Sequence, residues 1–201
     1  MLYMVRYIPD NAGCPVVLKG KLNKPWAWNA FDPNLSNAEF EVGYVYEAKH
    51  KFLNFDYWDL NWMASEQFVE ICRNFDVGVD AVPVDVVLSD GASSVKKYFY
   101  LRWSAWASVI DLERSRYELE KDLATGEVLY QRYFPDAPVL ESVERFVIDE
   151  KKVPGSAAFL CLDLGHTLVC NELFRAACED AGLQGMGFEE ITSYTKSDFW
   201  D

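Results

Sequence analysis

The order of patterns in residues 141–190 constrains the fold more than any other feature of this chain. Val143 to Ile148 is typical of a strand, and the turn residues Pro154 and Gly155 follow it. Ala157 to Leu162 and Thr167 to Cys170 are then predicted to form a hairpin around an Asp-Leu-Gly turn. This succession predicts that sheet and helix share one unit, because a helical pattern follows the hairpin directly.

Two segments carry helical signals. After the hairpin, Asn171 is placed to cap a helix, and Gly182 stands where a left-handed C-cap belongs. The apolar stripe of this helix comprises Leu173, Phe174, Ala177, Cys178 and Ala181. Earlier in the chain, Ser65 is predicted to cap a helix that ends before Gly78. Its apolar positions are Phe68, Val69, Cys72 and Phe75.

Short segments rich in strand-forming residues fill much of the remaining chain. They are Leu2 to Ile8, Pro15 to Leu18, Phe40 to Glu47, Val82 to Leu88, Lys97 to Trp103 and Glu127 to Tyr133. Lys97 to Trp103 has large side chains on both faces, which is typical of a central strand. The sequence therefore predicts an α+β fold, with a mostly antiparallel sheet of several strands and two principal helices packed against it.

The charge of the chain limits its partners. The formal net charge is -13, from 32 acidic and 19 basic side chains. Such a field repels phosphate, so we expect neither nucleic acid nor an anionic membrane surface as a partner. A basic protein, in contrast, is attracted and captured faster. The charge is equally explained by solubility alone, and both interpretations stay open.

Length, hydropathy and cysteine content point to one soluble domain. The chain has 201 residues, half of them hydrophobic, which favours a single domain over residues 1–201. The longest apolar run, Ala157 to Leu162, is far shorter than the roughly 18 residues of a membrane span, and the N-terminus lacks a secretory pattern. We expect a cytoplasmic protein whose five cysteines are reduced and mostly buried.

Catalytic signals are weak. His50 and His166 do not lie in a metal-site spacing, and the glycine-rich phosphate loops and the nucleophile elbow are missing from the sequence. His166 lies near Cys161 and Cys170, but flanking strands of a hairpin bring such residues together without any function. We therefore predict a binding protein that is not an enzyme and needs no cofactor or metal. The alternative is a small hydrolase or transferase that uses a buried carboxylate pair or His166.

Aromatic and acidic residues in the first two thirds of the chain are the candidate partner contacts. The polar loop over residues 24–37 carries Trp26, Trp28 and Phe31, and residues 56–62 interleave acids with large aromatics. The candidates are Trp26, Trp28, Asp56, Trp58, Asp59, Glu118 and Glu120. A structural interpretation competes, in which the aromatic rings cover the sheet and the acids face water, and it is the one we favour.

Several runs of residues resemble the Imm11 immunity proteins, a bacterial family formerly catalogued as the DUF1629 domain. They are Ser65 to Cys72, the stretch IDLERSRY at 110–117, RFVID at 145–149, Val153 and Pro154, Phe159, LVCNEL at 168–173 and AGLQGMGF at 181–188. The order and spacing of these runs carry the resemblance, which covers roughly residues 55–190. It divides the chain into a variable strand and loop region over 1–55, a family-like core over 55–190 and a tail over 191–201.

The resemblance implies a protein that binds and neutralises a cognate toxin exchanged between competing bacteria, often a nuclease, and that has no catalytic centre. An acidic inhibitor suits a nuclease, since nucleases that grip phosphate are usually basic. The expected partner is therefore a cognate toxin of basic character, held by stoichiometric inhibition. The contact residues differ between relatives, so none is transferred from the family.

Overall fold

The computed structural model describes residues 1–27, 29–33, 42–60 and 62–196. In chain order these form β1 (Leu2–Tyr7), β2 (Gly20–Leu22), β3 (Tyr44–Ala48), β4 (Tyr57–Trp58), β5 (Met63–Ser65), α1 (Glu66–Asn74), β6 (Val79–Val87), β7 (Tyr98–Trp103), β8 (Trp106–Ala107), β9 (Arg116–Leu119), β10 (Tyr130–Gln131), β11 (Phe134–Pro138), β12 (Leu140–Arg145), β13 (Ala158–Cys161), β14 (Thr167–Asn171), α2 (Glu172–Asp180) and β15 (Met186–Glu190). The predicted α+β class is confirmed. The strands divide among several mixed sheets in which antiparallel pairs dominate.

A six-stranded sheet has the order β2-β3-β6-β7-β5-β4. Its centre is the hairpin of β6 and β7, in which Val82 lies opposite Tyr100. β7 has neighbours on both edges, so the prediction of a central strand is confirmed. The side chains of its last three residues, Leu101 to Trp103, are all buried. The pairing of β3 with β6 is parallel and the other pairings in this sheet are antiparallel.

A five-stranded sheet has the order β15-β1-β14-β13-β8. The predicted hairpin is confirmed as β13 and β14, with Phe159 opposite Val169. A 3-10 turn over Leu162–Leu164 joins the two strands, and Gly165 ends it at a φ of 63°. Glycine suits that left-handed conformation because it has no Cβ to clash.

The two helices pack together in the core, α1 after a strand of the six-stranded sheet and α2 after a strand of the five-stranded sheet. As predicted, Ser65 caps α1 by accepting a hydrogen bond from the Phe68 N–H, and Asn171 caps α2 by accepting one from the Phe174 N–H. The rings of Phe68 and Phe174 meet edge to face at 6.0 Å. One buried cluster combines residues of α1, α2, β7 and β14, so the helices connect both sheets to a common core.

Some predicted elements were wrong in place or extent. Pro15–Leu18 is a loop, and the strand comes later at β2, because Pro15 lacks the N–H that a ladder needs. Of the strand predicted over Glu127–Tyr133, only β10 forms. The strand predicted over Val143–Ile148 begins and ends three residues earlier, as β12. For the strand predicted over Phe40–Glu47, Phe40 lies outside the described residues and β3 begins at Tyr44.

Several strands were missed, among them β4, β5, β9, β11 and β15. β9 pairs with β12, β11 pairs with β10, and β15 pairs with β1 along the edge of the five-stranded sheet. β11 contains Pro135 and Pro138, which the sequence pattern takes as the end of a strand. Proline is tolerated there because β10 and β11 form a two-stranded sheet, in which each strand keeps an unpaired edge.

Candidate functional site

A cleft of ≈ 200 Å³ opens where the loop between β4 and β5 meets the turn between β13 and β14. Its lining residues are Phe31, Tyr57, Asp59, Leu60, Trp62, Gly165, His166, Thr167 and Leu168. The two sheets thus contribute opposite walls, and Phe31 comes from the N-terminal loop. The volume lies below the roughly 300–1,000 Å³ of most small-molecule sites. It suits a single inserted side chain better than a substrate or cofactor.

Left-handed backbone conformations shape both walls. Trp62 has a φ of 49° and His166 a φ of 65°, directly after Gly165. Such conformations cost non-glycine residues about 1–3 kcal/mol each and persist where the surroundings impose them. The His166 N–H donates to the Cys161 carbonyl at 3.0 Å, and the Thr167 hydroxyl donates to the Leu164 carbonyl at 2.7 Å. These bonds hold the turn so that the imidazole reaches the cleft.

Aromatic rings make up most of the cleft surface. The ring of Phe31 lies 5.4 Å from that of Trp62 and 5.1 Å from that of His166. The ring centroid of Trp106 lies 5.5 Å from that of His166 and 5.8 Å from that of Phe134. These centroid distances fall in the range of favourable aromatic pairs. The rings therefore form one continuous surface, which we call the aromatic face (Phe31, Trp62, Trp106, Phe134 and His166).

A second concavity of ≈ 320 Å³ lies across Phe31 and His166 from the first. It is lined also by Asn29, Gln131, Arg132, Tyr133 and Phe134. Asn29 Nδ2 donates to the Tyr133 hydroxyl at 3.0 Å, which fixes the loop that carries Phe31 against β10 and β11. Phe31 nevertheless stays 49 % exposed, and Leu60 at the rim of the first cleft stays 78 % exposed. Exposed apolar side chains around a cleft are typical of a protein-binding surface.

Asp163 anchors the strand that carries Trp106. Its buried carboxylate accepts hydrogen bonds from the Ser108 hydroxyl at 2.7 Å and from the N–H groups of Val109 at 2.6 Å and Ile110 at 2.9 Å. Burial raises the pKa of Asp163, against the opposing effect of these hydrogen bonds. The carboxylate therefore ties the segment after β8 to the turn that ends at Gly165, and so fixes the spacing of Trp106 and His166.

The polar groups of the first cleft are unsatisfied. The Tyr57 hydroxyl is buried without a hydrogen-bond partner among the described residues. The partly buried Asp59 carboxylate likewise forms no ion pair or hydrogen bond with any described residue. Burial raises the pKa of Tyr57 well above its usual value, and the charge of Asp59 adds to that rise. Burial also lowers the pKa of His166, which favours the neutral imidazole. The cleft thus presents one uncompensated negative charge among apolar rings.

The candidate residues from the sequence lie in different places. Asp59 lines the first cleft, and Glu118 and Glu120 are exposed on and after β9. Trp26 is partly buried against Tyr44 and Tyr100, with centroid distances of 4.5 and 3.7 Å. Trp28 lies outside the described residues.

Asp56 and Trp58 need a correction, because both are buried and neither side chain is available to a partner in this conformation. The Asp56 carboxylate accepts hydrogen bonds from the Ser65 hydroxyl, from the Gln184 N–H at 2.6 Å and from Lys96 Nζ at 2.7 Å. The Trp58 ring lies 4.4 Å from that of Tyr7. Trp58 agrees with the competing interpretation, in which the aromatic rings of this segment cover the sheet. Asp56 does not, because that interpretation expects the acids to face water and Asp56 is buried.

Of the cleft residues, only Asp59 is among the candidate contacts, and those omitted include Phe31, Leu60, Trp62 and His166. The sequence does point to Phe31 as a partner contact, since it is an aromatic residue in a loop of polar and proline residues. His166 was considered only as a catalyst.

The residues proposed for catalysis are dispersed. The Cys161 thiol is buried, its pKa is raised well above the usual value, and it lies 3.8 Å from Asp163 Oδ2. The buried carboxylates Asp56 and Asp163 belong to separate hydrogen-bond networks. Over the described ranges, no group of three His, Cys, Asp or Glu residues is arranged to hold a metal ion. Cys161, Asp56 and Asp163 thus do not share one site, while His166 lines the first cleft with Asp59.

Comparison with protein families identifies the chain. A family model described as immunity protein family (Imm11) matches residues 24–193. The chain therefore belongs to the Imm11 immunity protein family. The match begins at residue 24, so the family region extends well before residue 55 and includes Phe31 and β3. No curated protein matches the chain.

Membership of the Imm11 family implies a toxin-neutralising immunity function and a cognate toxin as the partner. It suggests a non-enzymatic role for this member. Within the part of the chain that the structure describes, neither helix has the length and hydrophobicity needed to cross a lipid bilayer.

Proposed function

We propose that this Imm11 protein neutralises a basic nuclease toxin by binding it stoichiometrically through the aromatic face and the adjoining Asp59 cleft. The observation that carries the proposal is the combination of exposed apolar groups, Phe31 and Leu60, with an unpaired carboxylate in one concave surface. Protein interfaces draw most of their affinity from such desolvated aromatic anchors, and charge complementarity adds specificity and speed.

The charge of the chain supports a basic partner. With a net charge of -13, the protein repels nucleic acid and attracts the cationic groove with which a nuclease holds its substrate. Glu118 and Glu120 are exposed and add to this field. Occlusion of that groove inhibits the toxin without any chemistry in the inhibitor. Because such a toxin attacks nucleic acid inside the cell, we place the complex in the cytoplasm, with neither membrane nor nucleic acid bound to the immunity protein.

Mixing the purified protein with the toxin domain encoded by the neighbouring gene tests the proposal. We expect a 1:1 complex in size-exclusion chromatography with light scattering, an interface of about 1,600 Å² in total, and loss of nuclease activity at one equivalent of inhibitor. Association should slow as salt is raised, because steering by exposed charges is screened. Separate elution at micromolar concentrations, with the toxin still active, contradicts the proposal.

A further inference from the structure

The Asp59 cleft combines two features that a folded protein normally avoids. Asp59 is a partly buried carboxylate and Tyr57 a fully buried hydroxyl, and neither has a hydrogen-bond partner among the described residues. A buried polar group left unpaired costs about 1–3 kcal/mol. Both groups line the same cavity of ≈ 200 Å³. Asp59 is partly exposed and can accept hydrogen bonds from a ligand in the cleft, whereas the Tyr57 side chain has no exposed surface and is out of reach.

The sign of the charge selects the ligand. Asp59 is the charged side chain that lines the first cleft, and Arg132 lines the second concavity beyond Phe31 and His166. An anion is repelled by Asp59, and a neutral group leaves the carboxylate uncompensated. A cation is therefore favoured. The cavity is too small for a nucleotide or a cofactor, which leaves a single cationic side chain.

The walls distinguish arginine from lysine. Trp62 and Phe31 present rings to the cleft at a centroid distance of 5.4 Å, with His166 5.1 Å from Phe31. A planar guanidinium stacks on aromatic faces and presents five N–H donors in a fixed fork, whereas an ammonium is compact and strongly hydrated. The two oxygens of the Asp59 carboxylate suit a pair of N–H donors on one planar group.

We propose that the Asp59 cleft is a receptor for one arginine side chain of the toxin, which packs against the rings of Trp62 and Phe31 and is bonded to the Asp59 carboxylate. This inference rests on the proposed function for the source of the arginine. Arginine residues are what a nuclease uses to grip phosphate, so capture of one such side chain directly removes a group that the toxin needs for its substrate.

A titration with a small probe tests the pocket without the toxin. Nα-acetyl-arginine amide is added to the ¹⁵N-labelled protein, and the amide resonances of Gly165 and Thr167 and the indole N–H of Trp62 are followed by NMR. We expect saturable shifts with a Kd on the order of 1–10 mM, since one side chain supplies only a small part of an interface. The lysine amide should bind more weakly, and the citrulline amide, which has the same shape without the charge, should not saturate.

Variants of the protein test whether binding of the arginine probe depends on Asp59. Asp59→Asn keeps the size of the side chain and removes its charge. We expect this variant to bind the arginine probe about 10-fold more weakly. Asp85→Asn is the control, because Asp85 is an exposed acid on β6 that lines a different concavity. The Asp85→Asn variant should bind the arginine probe with the affinity of the wild-type protein. Equal shifts with arginine and citrulline amides, equal affinities in the wild type and Asp59→Asn, or no saturable shift at all would each overturn the proposal.

A second experiment measures binding of the toxin itself. Asp59→Asn should weaken toxin binding about 10-fold or more, and one Arg→Gln variant of the toxin should show the same loss without adding to it in the double variant. Equal toxin affinity for the wild type and Asp59→Asn overturns the proposal. A toxin that binds neither protein contradicts the proposed function instead, and the probe titration then still decides whether the pocket takes a guanidinium.

Discussion

Asp56 and Lys96 form an ion pair within the fold, with 2.7 Å between Asp56 Oδ2 and Lys96 Nζ. The Asp56 side chain is 1 % exposed, and it also accepts hydrogen bonds from the Ser65 hydroxyl and the Gln184 N–H. One carboxylate therefore joins the segment before β4, the N-cap of α1, the segment before β7 and the loop before β15. These are the elements that place Tyr57 and Asp59 at the cleft.

Asp56→Ala is expected to lower the free energy of unfolding by about 3 kcal/mol, because it leaves a partly buried Lys96 without its counter-charge and two donors without an acceptor. Urea unfolding followed by tryptophan fluorescence measures the change. Asp85→Ala serves as the control, since Asp85 is exposed, and should shift stability by less than about 0.5 kcal/mol. Equal effects of the two substitutions would show that the Asp56 network contributes little.

Phe31→Ala is expected to weaken toxin binding by about 2 kcal/mol, roughly 30-fold, because Phe31 is the exposed ring between the two concavities. Phe52→Ala is the matched control. Phe52 is 50 % exposed, against 49 % for Phe31, and lines neither concavity. Isothermal titration calorimetry with the toxin domain compares them. A similar loss in both variants would place the interface elsewhere on the protein.

The sequence predicted correctly those features that depend only on residues close together in the chain, such as helix caps and turns. The caps Ser65 and Asn171 and the turn at Gly165 act within a few residues of their own position, so the sequence reports them. β15 and β9 were missed because their patterns are weak and their pairing partners, β1 and β12, lie far along the chain or across a loop. Such strands form because a partner edge exists, which a single sequence does not show.

The cleft was predictable only in part. Asp59 and the aromatic residues around it form a contiguous pattern, and Asp59 was among the candidates. Phe31 and His166 reach the same place from loops more than a hundred residues apart, and only the paired sheets bring them together. The burial of Asp56 has the same origin, since its partner Gln184 lies 128 residues away. Neither composition nor spacing carries that information.

All five cysteines are expected to be unreactive in the folded protein. Each is buried and free, and burial raises the pKa of Cys14 and of Cys178 to about 12. Because the thiolate is the reactive species, an aromatic disulfide reagent at about pH 8 should release negligible product until the protein unfolds. In denaturant all five thiols should react. A thiol that reacts fast without denaturant would show that its surroundings open locally.

His166 is expected to make stability depend on pH. Burial lowers the pKa of His166 from 6.5, so below about pH 6.5 the unfolded chain binds the proton more readily than the folded protein does. The contribution of neutral His166 to the free energy of unfolding is fully present above pH 6.5 and is lost as the pH falls toward the lower pKa of the folded state.

The variant His166→Asn tests this expectation. It removes the titration, and asparagine tolerates the left-handed backbone at a φ of 65°. The difference in unfolding free energy between the two proteins, measured with urea from about pH 5 to 8, should be constant above about pH 6.5 and move in favour of the variant below it. A difference that stays constant over the whole range would mean that His166 is as well solvated in the folded protein as in the unfolded chain.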